Sequence, residues 1–409
     1  MFLSGRRRAS RRVFINSALV AAAMGQGAAG AHASAPTEAE IRTMVSAAIA
    51  EHSRTSLLLG AQRAANAGGL VLGPTTNAGE PIHVAGRIQF RGTYNRRQRT
   101  TGARNESGFS LRRVRLTISN QVYDHLGYYL QVTASRSTGQ VSAEDYYITS
   151  RLSNVWSLQF GRFRPPFLRE QLISSKRQLA VERSIVSSAL GQGRGIGLRL
   201  FATTDSFRFY ISIVDRGGDL GGLERWATAV RIEKLIAGRW SMVRHSSADA
   251  QGRTAILIGG GSSYQFEQRQ DGKPQRTRFR WTGDVTLKRG RLVAFVAAMG
   301  EHASRSTFGP SFDRYGFVAQ AGWRTSDEWE FFGRAEGGHA DESAADLFVL
   351  TTGVNYYVRG NRGAKWSTDV GFAFTEVGGF WSTTGAGYLT DQKRQDGQLV
   401  VRTQFQLVF

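Results

Sequence analysis

The chain has 409 residues, with 53 Lys+Arg against 32 Asp+Glu, a formal net charge of +21 and a pI near 10.9. The absence of Cys excludes disulfide scaffolds, Cys-based zinc sites and thiol catalysis, and the absence of a long apolar run after the N-terminus excludes a helical membrane protein. So strong a positive charge leaves nucleic acid, an anionic membrane surface and small anions as candidate partners, to be decided by where the charges sit.

Residues 1–33 read as an export signal. Arg6, Arg7, Arg8, Arg11 and Arg12 make a positive start, Val13–Ala23 an apolar middle, and Ala31-His32-Ala33 a small-x-small cleavage site. Ser10-Arg11-Arg12-Val13-Phe14-Ile15 also fits a twin-arginine signal, so the export route stays open. Cleavage after Ala33 removes five arginines and leaves the chain strongly basic. In 34–60, Ile41, Met44, Val45, Ala48 and Ile49 share a helical face, which predicts a short periplasmic amphipathic helix. Alone it has little to bury. It is a candidate coiled coil, and 34–58 a candidate cell-wall contact. Residues 61–81, rich in Ala, Gly and Asn, read as a linker.

From Ile82 the period changes to two. Ile82, Val84, Ile88, Phe90 and Tyr94 alternate with His83, Arg87, Gln89, Arg91 and Thr93. The same alternation recurs around Leu126–Thr133, Trp156–Phe160, Phe207–Ile213, Phe279–Lys288, Tyr315–Trp323 and Trp329–Glu336. About sixteen such segments of roughly ten residues each fit strands tilted across a bilayer. The last, Gln398–Phe409, ends the chain on an aromatic. The expected fold is all-β: a sixteen-stranded antiparallel transmembrane β-barrel over 82–409, with Trp156, Phe207, Trp281, Trp323, Phe331 and Phe405 facing outward. Its polar face carries Arg87, Arg91, Arg112, Arg113, Arg115, Arg199 and Arg208, and a barrel of this size leaves an aqueous channel.

One stretch, about 164–194, breaks the pattern. Pro165 and Pro166 stop the preceding strand, and Phe167, Leu168, Leu172, Ile173, Leu179 and Val181 call for burial. A loop folded into the pore satisfies both, carrying Arg169, Lys176, Arg177 and Arg183 toward the lumen.

Gly86-Arg87-Ile88-Gln89, Phe109–Leu116, Glu144-Asp145, Phe160-Gly161-Arg162-Phe163, Ser174-Ser175-Lys176 and Glu182-Arg183-Ser184 follow one another in an order that resembles the phosphate-selective porin O/P family. The resemblance implies an outer-membrane homotrimer that passes phosphate-like anions through an arginine-lined constriction. Carried over by position, Arg87, Arg112 and Arg113 match the pathway arginines, and Lys176 and Arg183 the basic residues of the inward loop. Glu144 or Asp145 matches the acidic residue that orients them. Gln171 departs from the family, which has Lys there. The departure weakens the case for phosphate and leaves anion preference standing.

No metal-ligand spacing or cofactor motif stands out, and His245-Ser246 are neighbours on a chain of alternating faces rather than a catalytic pair. No nucleic-acid-binding motif occurs. The alternative to a porin is a structural or adhesive barrel tied to the cell wall through its N-terminal helix.

Overall fold

The computed structural model of the protein describes residues 70–74 and 81–409, apart from 100–101, 136–137, 217–224, 249–251, 268–275, 306–308, 342–344, 383 and 391–396. The expected export signal and N-terminal helix lie outside the described residues. A short strand, β1 (Leu70–Pro74), pairs antiparallel with the start of the next. It falls inside the stretch read as a linker, because its Leu-Val-Leu is too short to stand out among Gly and Ala.

Sixteen further strands follow: β2 (Pro81–Arg99), β3 (Gly102–Tyr123), β4 (Leu126–Ala134), β5 (Val141–Arg151), β6 (Trp156–Phe163), β7 (Gly195–Thr203), β8 (Phe207–Asp215) and β9 (Arg225–Ala237). The second half comprises β10 (Ala255–Glu267), β11 (Arg276–Arg289), β12 (Leu292–Arg305), β13 (Gly309–Arg324), β14 (Trp329–Ala340), β15 (Ala345–Tyr357), β16 (Ala364–Ala373) and β17 (Gln398–Val408). Each pairs antiparallel with the next, and β17 returns to β2, so the sheet closes and has no edge. No helix among the described residues is long and apolar enough to cross a membrane. Most are eight to sixteen residues, near the expected length, but β2 and β3 run to 19 and 22. At about 3.3 Å per residue this hairpin outruns a hydrocarbon core of about 30 Å.

The faces fall as the alternation requires. Trp156, Phe207, Trp281, Trp323 and Phe331 are exposed on the outside, and Phe405 packs beneath Trp366 at a ring distance of 5.9 Å. The inward residues are buried and polar. Along β9–β17 they neutralise one another: Arg231 with Asp284 (2.8 Å), Arg280 with Glu301 (2.5 Å) and Arg402 with Asp369 (2.6 Å).

At the seam Phe409 meets Gly86. Phe409 donates its backbone N–H to the Gly86 carbonyl (3.1 Å), and Gly86 donates back (2.6 Å). The Phe409 ring lies over Gly86, where any Cβ would overlap it. Gly86→Leu is therefore expected to lower barrel stability by roughly 1–3 kcal/mol through overpacking, read as an earlier melt of the folded band on unheated gels. An unchanged melt would show that the ring does not need this space.

Three segments fold inward. The long connection between β6 and β7 carries two short helices, α1 (Arg169–Leu172) and α2 (Ile185–Ala189). Its Phe167, Leu168, Ile185, Val186 and Leu190 share one apolar cluster with wall residues Phe295, Met299, Val318 and Val349. Trp381 and Tyr388, from the β16–β17 connection, join that cluster. Met242 and Val243, from the β9–β10 connection, pack on Leu235 and Leu257. The loop is stapled to the same wall by polar bonds: Asn355 donates to the Leu179 carbonyl (2.9 Å), Lys365 to that of Gln178 (3.0 Å), and Asp369 accepts from the Val181 N–H (3.0 Å). The lumen is thus filled against β12–β17 and left open toward β3–β7.

Candidate functional site

Along the open wall two β-bulges break the strict alternation. Gln89 pairs with Arg113 and Phe90 with Leu111, so Arg112 is an extra residue on β3. Gln131 pairs with Asp145 and Val132 with Ala143, so Glu144 is an extra residue on β5. In a regular strand two neighbours face opposite sides; a bulge turns both inward. Each bulge thus places two adjacent charges in the lumen.

Glu182 of the inward loop meets the first pair. It accepts from Arg91 (2.7 Å), from Arg113 (2.9 Å) and from Arg112. Burial works to raise the Glu182 pKa, but Arg113, Arg91 and Arg112 together hold it well below the usual carboxylate range. Glu144 and Asp145 form the second centre. Glu144 accepts from Arg115 and from Arg194 (3.1 Å), and Asp145 takes Arg194 through two bonds of 2.8 and 2.9 Å. The acidic pair therefore holds Arg115 and Arg194, while Arg112 and Arg113 are held by Glu182, whose role no local pattern in the sequence marks.

The remaining loop residues divide. Arg183 donates to the backbone carbonyls of Glu170 (3.0 Å) and Ile173 (2.7 Å). Gln171 accepts from Arg164 (2.5 Å) and donates to the Ser187 carbonyl (2.5 Å). Arg87 donates to Ser175 (2.9 Å) and Ser174 (3.2 Å), fastening the loop to β2. The Lys176 ammonium is half-buried near Arg177 and Arg87, and burial first, then those two charges, lowers its pKa to about 8. Arg169, expected to face the open lumen, is buried between the inward loop and β9, against Glu233 (3.2 Å) and the Val243 carbonyl. The β9 carboxylate that captures it is sixty-four residues away, beyond the reach of any local pattern.

Three adjoining cavities follow this wall. The first, about 480 Å³, is lined by Arg112, Arg113, Arg115, Arg164, Gln171, Glu182 and Arg183. The second is the smallest, about 220 Å³, and shares Arg115, Arg164, Gln171 and Arg183 with the first while adding Arg194, Arg199 and Asp145. The third, about 450 Å³, shares Tyr129 and Tyr147 with the second and opens at the short β3–β4 turn around Asp124 and His125. Those two tyrosines stack at 4.8 Å. Together the three cavities follow the wall from the long-loop end of the barrel to the short-turn end, and five arginines and one aspartate line the smallest of them. Arg87, Lys176 and Glu144 line neither of the first two cavities and stand one layer behind. Arg164, Arg194 and Arg199 line the cavities as well, although in the sequence they stand only as a loop charge, a loop charge and a strand charge.

A family model described as phosphate-selective porin O and P matches residues 82–368. The fold is similar to an anion-selective porin from Comamonas acidovorans, with a TM-score of 0.61 and 12% identity over 81% of this chain and 100% of that one. It is also similar to the outer membrane channel DcaP of Acinetobacter baumannii (TM-score 0.56, 12% identity, 83% and 100% covered). A third is OmpT of Vibrio cholerae in its trimer form (TM-score 0.55, 12% identity, 81% and 100% covered). At these identities the likeness is one of fold. No curated protein matches the sequence.

Proposed function

The chain belongs to the phosphate-selective porin O and P family, and we propose that its outer-membrane channel selects small anions, phosphate-like oxyanions among them, at the middle cavity. The observation that carries this reading is a cavity of about 220 Å³ lined by Arg115, Arg164, Arg183, Arg194 and Arg199 with a single carboxylate, Asp145. An anion entering so small a space sheds part of its water, and guanidinium forks replace it with charge-assisted hydrogen bonds. Cations meet the same field as a barrier.

In this reading Arg112, Arg113 and Arg183 contact the passing anion directly. Arg87 and Lys176 add charge from behind the loop. Glu144 and Asp145 orient Arg115 and Arg194, as Gln171 orients Arg164. The paired arginines of β9–β17, Arg231, Arg280 and Arg402, take no part, since none of them lines the three cavities. The assembly is a homotrimer, as the OmpT structure is in its trimer form, and 34–58 is the segment proposed to reach the cell wall.

Reversal potentials of the purified channel in a KCl gradient test the reading. The expected sign is that of chloride permeation; a cation-selective potential would end it. Raising the pH through about 8 neutralises Lys176, so the chloride preference is expected to fall by about twofold, the effect of one charge acting through a water-filled lumen. Lys176→Gln should show the reduced preference at every pH. A wild-type preference flat from pH 6.5 to 9.5 would remove Lys176 from the field.

A further inference from the structure

The lipid-facing surface has a hollow. Between β9 and β10 a groove of about 450 Å³ is lined by Val230, Ile232, Ile258, Gly260 and Ser262, and closed at one end by Lys234. Its floor is glycine: Gly260 pairs with Gly283 on β11. A Cβ at Gly260 would meet only the Thr282 carbonyl, at 3.6 Å, and one at Gly283 nothing within 4 Å. The missing side chains therefore make a recess in the outer wall.

Lys234 is the unusual member. It is exposed on the outward face, pairs across strands with Phe207 and Ile258, and stands between Ile232 and Ile236 on its own strand. Its ammonium donates to Ser206 (3.0 Å), in the short β7–β8 turn. No carboxylate lies within ion-pair distance of it among the described residues. Short turns mark the periplasmic end of such barrels, so Lys234 stands at the headgroup level of the inner leaflet. A cation among apolar side chains is costly on a lipid face unless an anionic headgroup meets it.

We propose that this groove binds a phospholipid of the inner leaflet, one acyl chain lying over Gly260 and Gly283 and the headgroup phosphate on Lys234. Away from subunit contacts, what covers an outward face at bilayer depth is lipid, and the charge at one end of an apolar recess selects an anionic one.

Native mass spectrometry of the full-length channel, exchanged into mild detergent with dioleoylphosphatidylglycerol or dioleoylphosphatidylcholine, tests the site. Both lipids offer the phosphate, but the choline of phosphatidylcholine brings a positive charge close to Lys234, worth about 1 kcal/mol in water, so wild type is expected to retain phosphatidylglycerol about fivefold better. Lys234→Gln, which can still donate to Ser206, should abolish that preference, and Lys234→Arg should restore it. Gly260→Leu, which fills open space rather than a packed core, should reduce retention of both lipids. Equal retention by wild type and both loss variants overturns the proposal. So does a change of oligomeric state in Gly260→Leu, which would show that the groove holds a second copy of the chain.

Discussion

Glu182→Ala destabilises the barrel by roughly 3–5 kcal/mol, because it leaves buried guanidinium groups with no carboxylate between them. Arg91, Arg112 and Arg113 converge on this one residue, which is 6% exposed. The substitution removes the charge that balances them and leaves the like charges to repel. Denaturant melts followed by tryptophan fluorescence should show the loss. The bonds that tie the loop to β2 and β3 go with it, so single-channel current should become larger and noisier. Glu182→Gln separates the two roles: it keeps an acceptor and the side-chain shape while removing the charge, so it should be less destabilised and more anion-selective than wild type. A melt within 1 kcal/mol of wild type for Glu182→Ala would mean that the three arginines find other partners.

Gln171→Lys is expected to tighten block of chloride current by phosphate about tenfold. Gln171 lines both the first and the second cavity and accepts the Arg164 hydrogen bond. A lysine there adds a positive charge to both cavities and frees the Arg164 guanidinium to meet the anion. One further charge-assisted hydrogen bond is worth about 1.5 kcal/mol or more, hence roughly a factor of ten. Wild type should bind phosphate only weakly by the same logic, since the amide can donate but carries no charge. Unchanged block in the variant would show that the passing anion does not reach this position.

Much of this protein was legible in its sequence because a membrane barrel writes its faces in a period of two. Trp281 beside Arg280 and Phe331 beside Glu330 declare outside and inside without any knowledge of neighbours. Pro165-Pro166 followed by apolar residues likewise announced a loop with something to bury. The bulges were visible too, though unread: Arg112-Arg113 and Glu144-Asp145 each put two charges side by side in a strand, which strict alternation forbids. Pairing partners were not legible. Whether an inward arginine is neutralised, as Arg402 is by Asp369, or left to face the path, as Arg183 is, depends on residues brought together across the barrel. The inward turn of 238–248 and the burial of Trp381 were hidden for the same reason. Each is a short apolar stretch whose partner is a distant strand.

The bulges also bear on how such a pore can change over generations. A substitution at residue 112 alters one side chain, but loss of that codon does something different. With Arg112 gone, Leu111, Arg113 and Val114 fall into regular alternation, outward, inward, outward, against the same partners Phe90, Gln89 and Ile88. The hydrogen-bond ladder on either side keeps its register. The same holds for Glu144 on β5, where Asp145 would follow Ala143 opposite Gln131 and Val132. Two single-codon deletions would thus each strip one fixed charge from the lumen while leaving the wall intact. In most strands a deletion turns every later side chain to the wrong face. At these two positions it becomes a small adjustment, so the pore's charge can be tuned by insertion and deletion as well as by replacement.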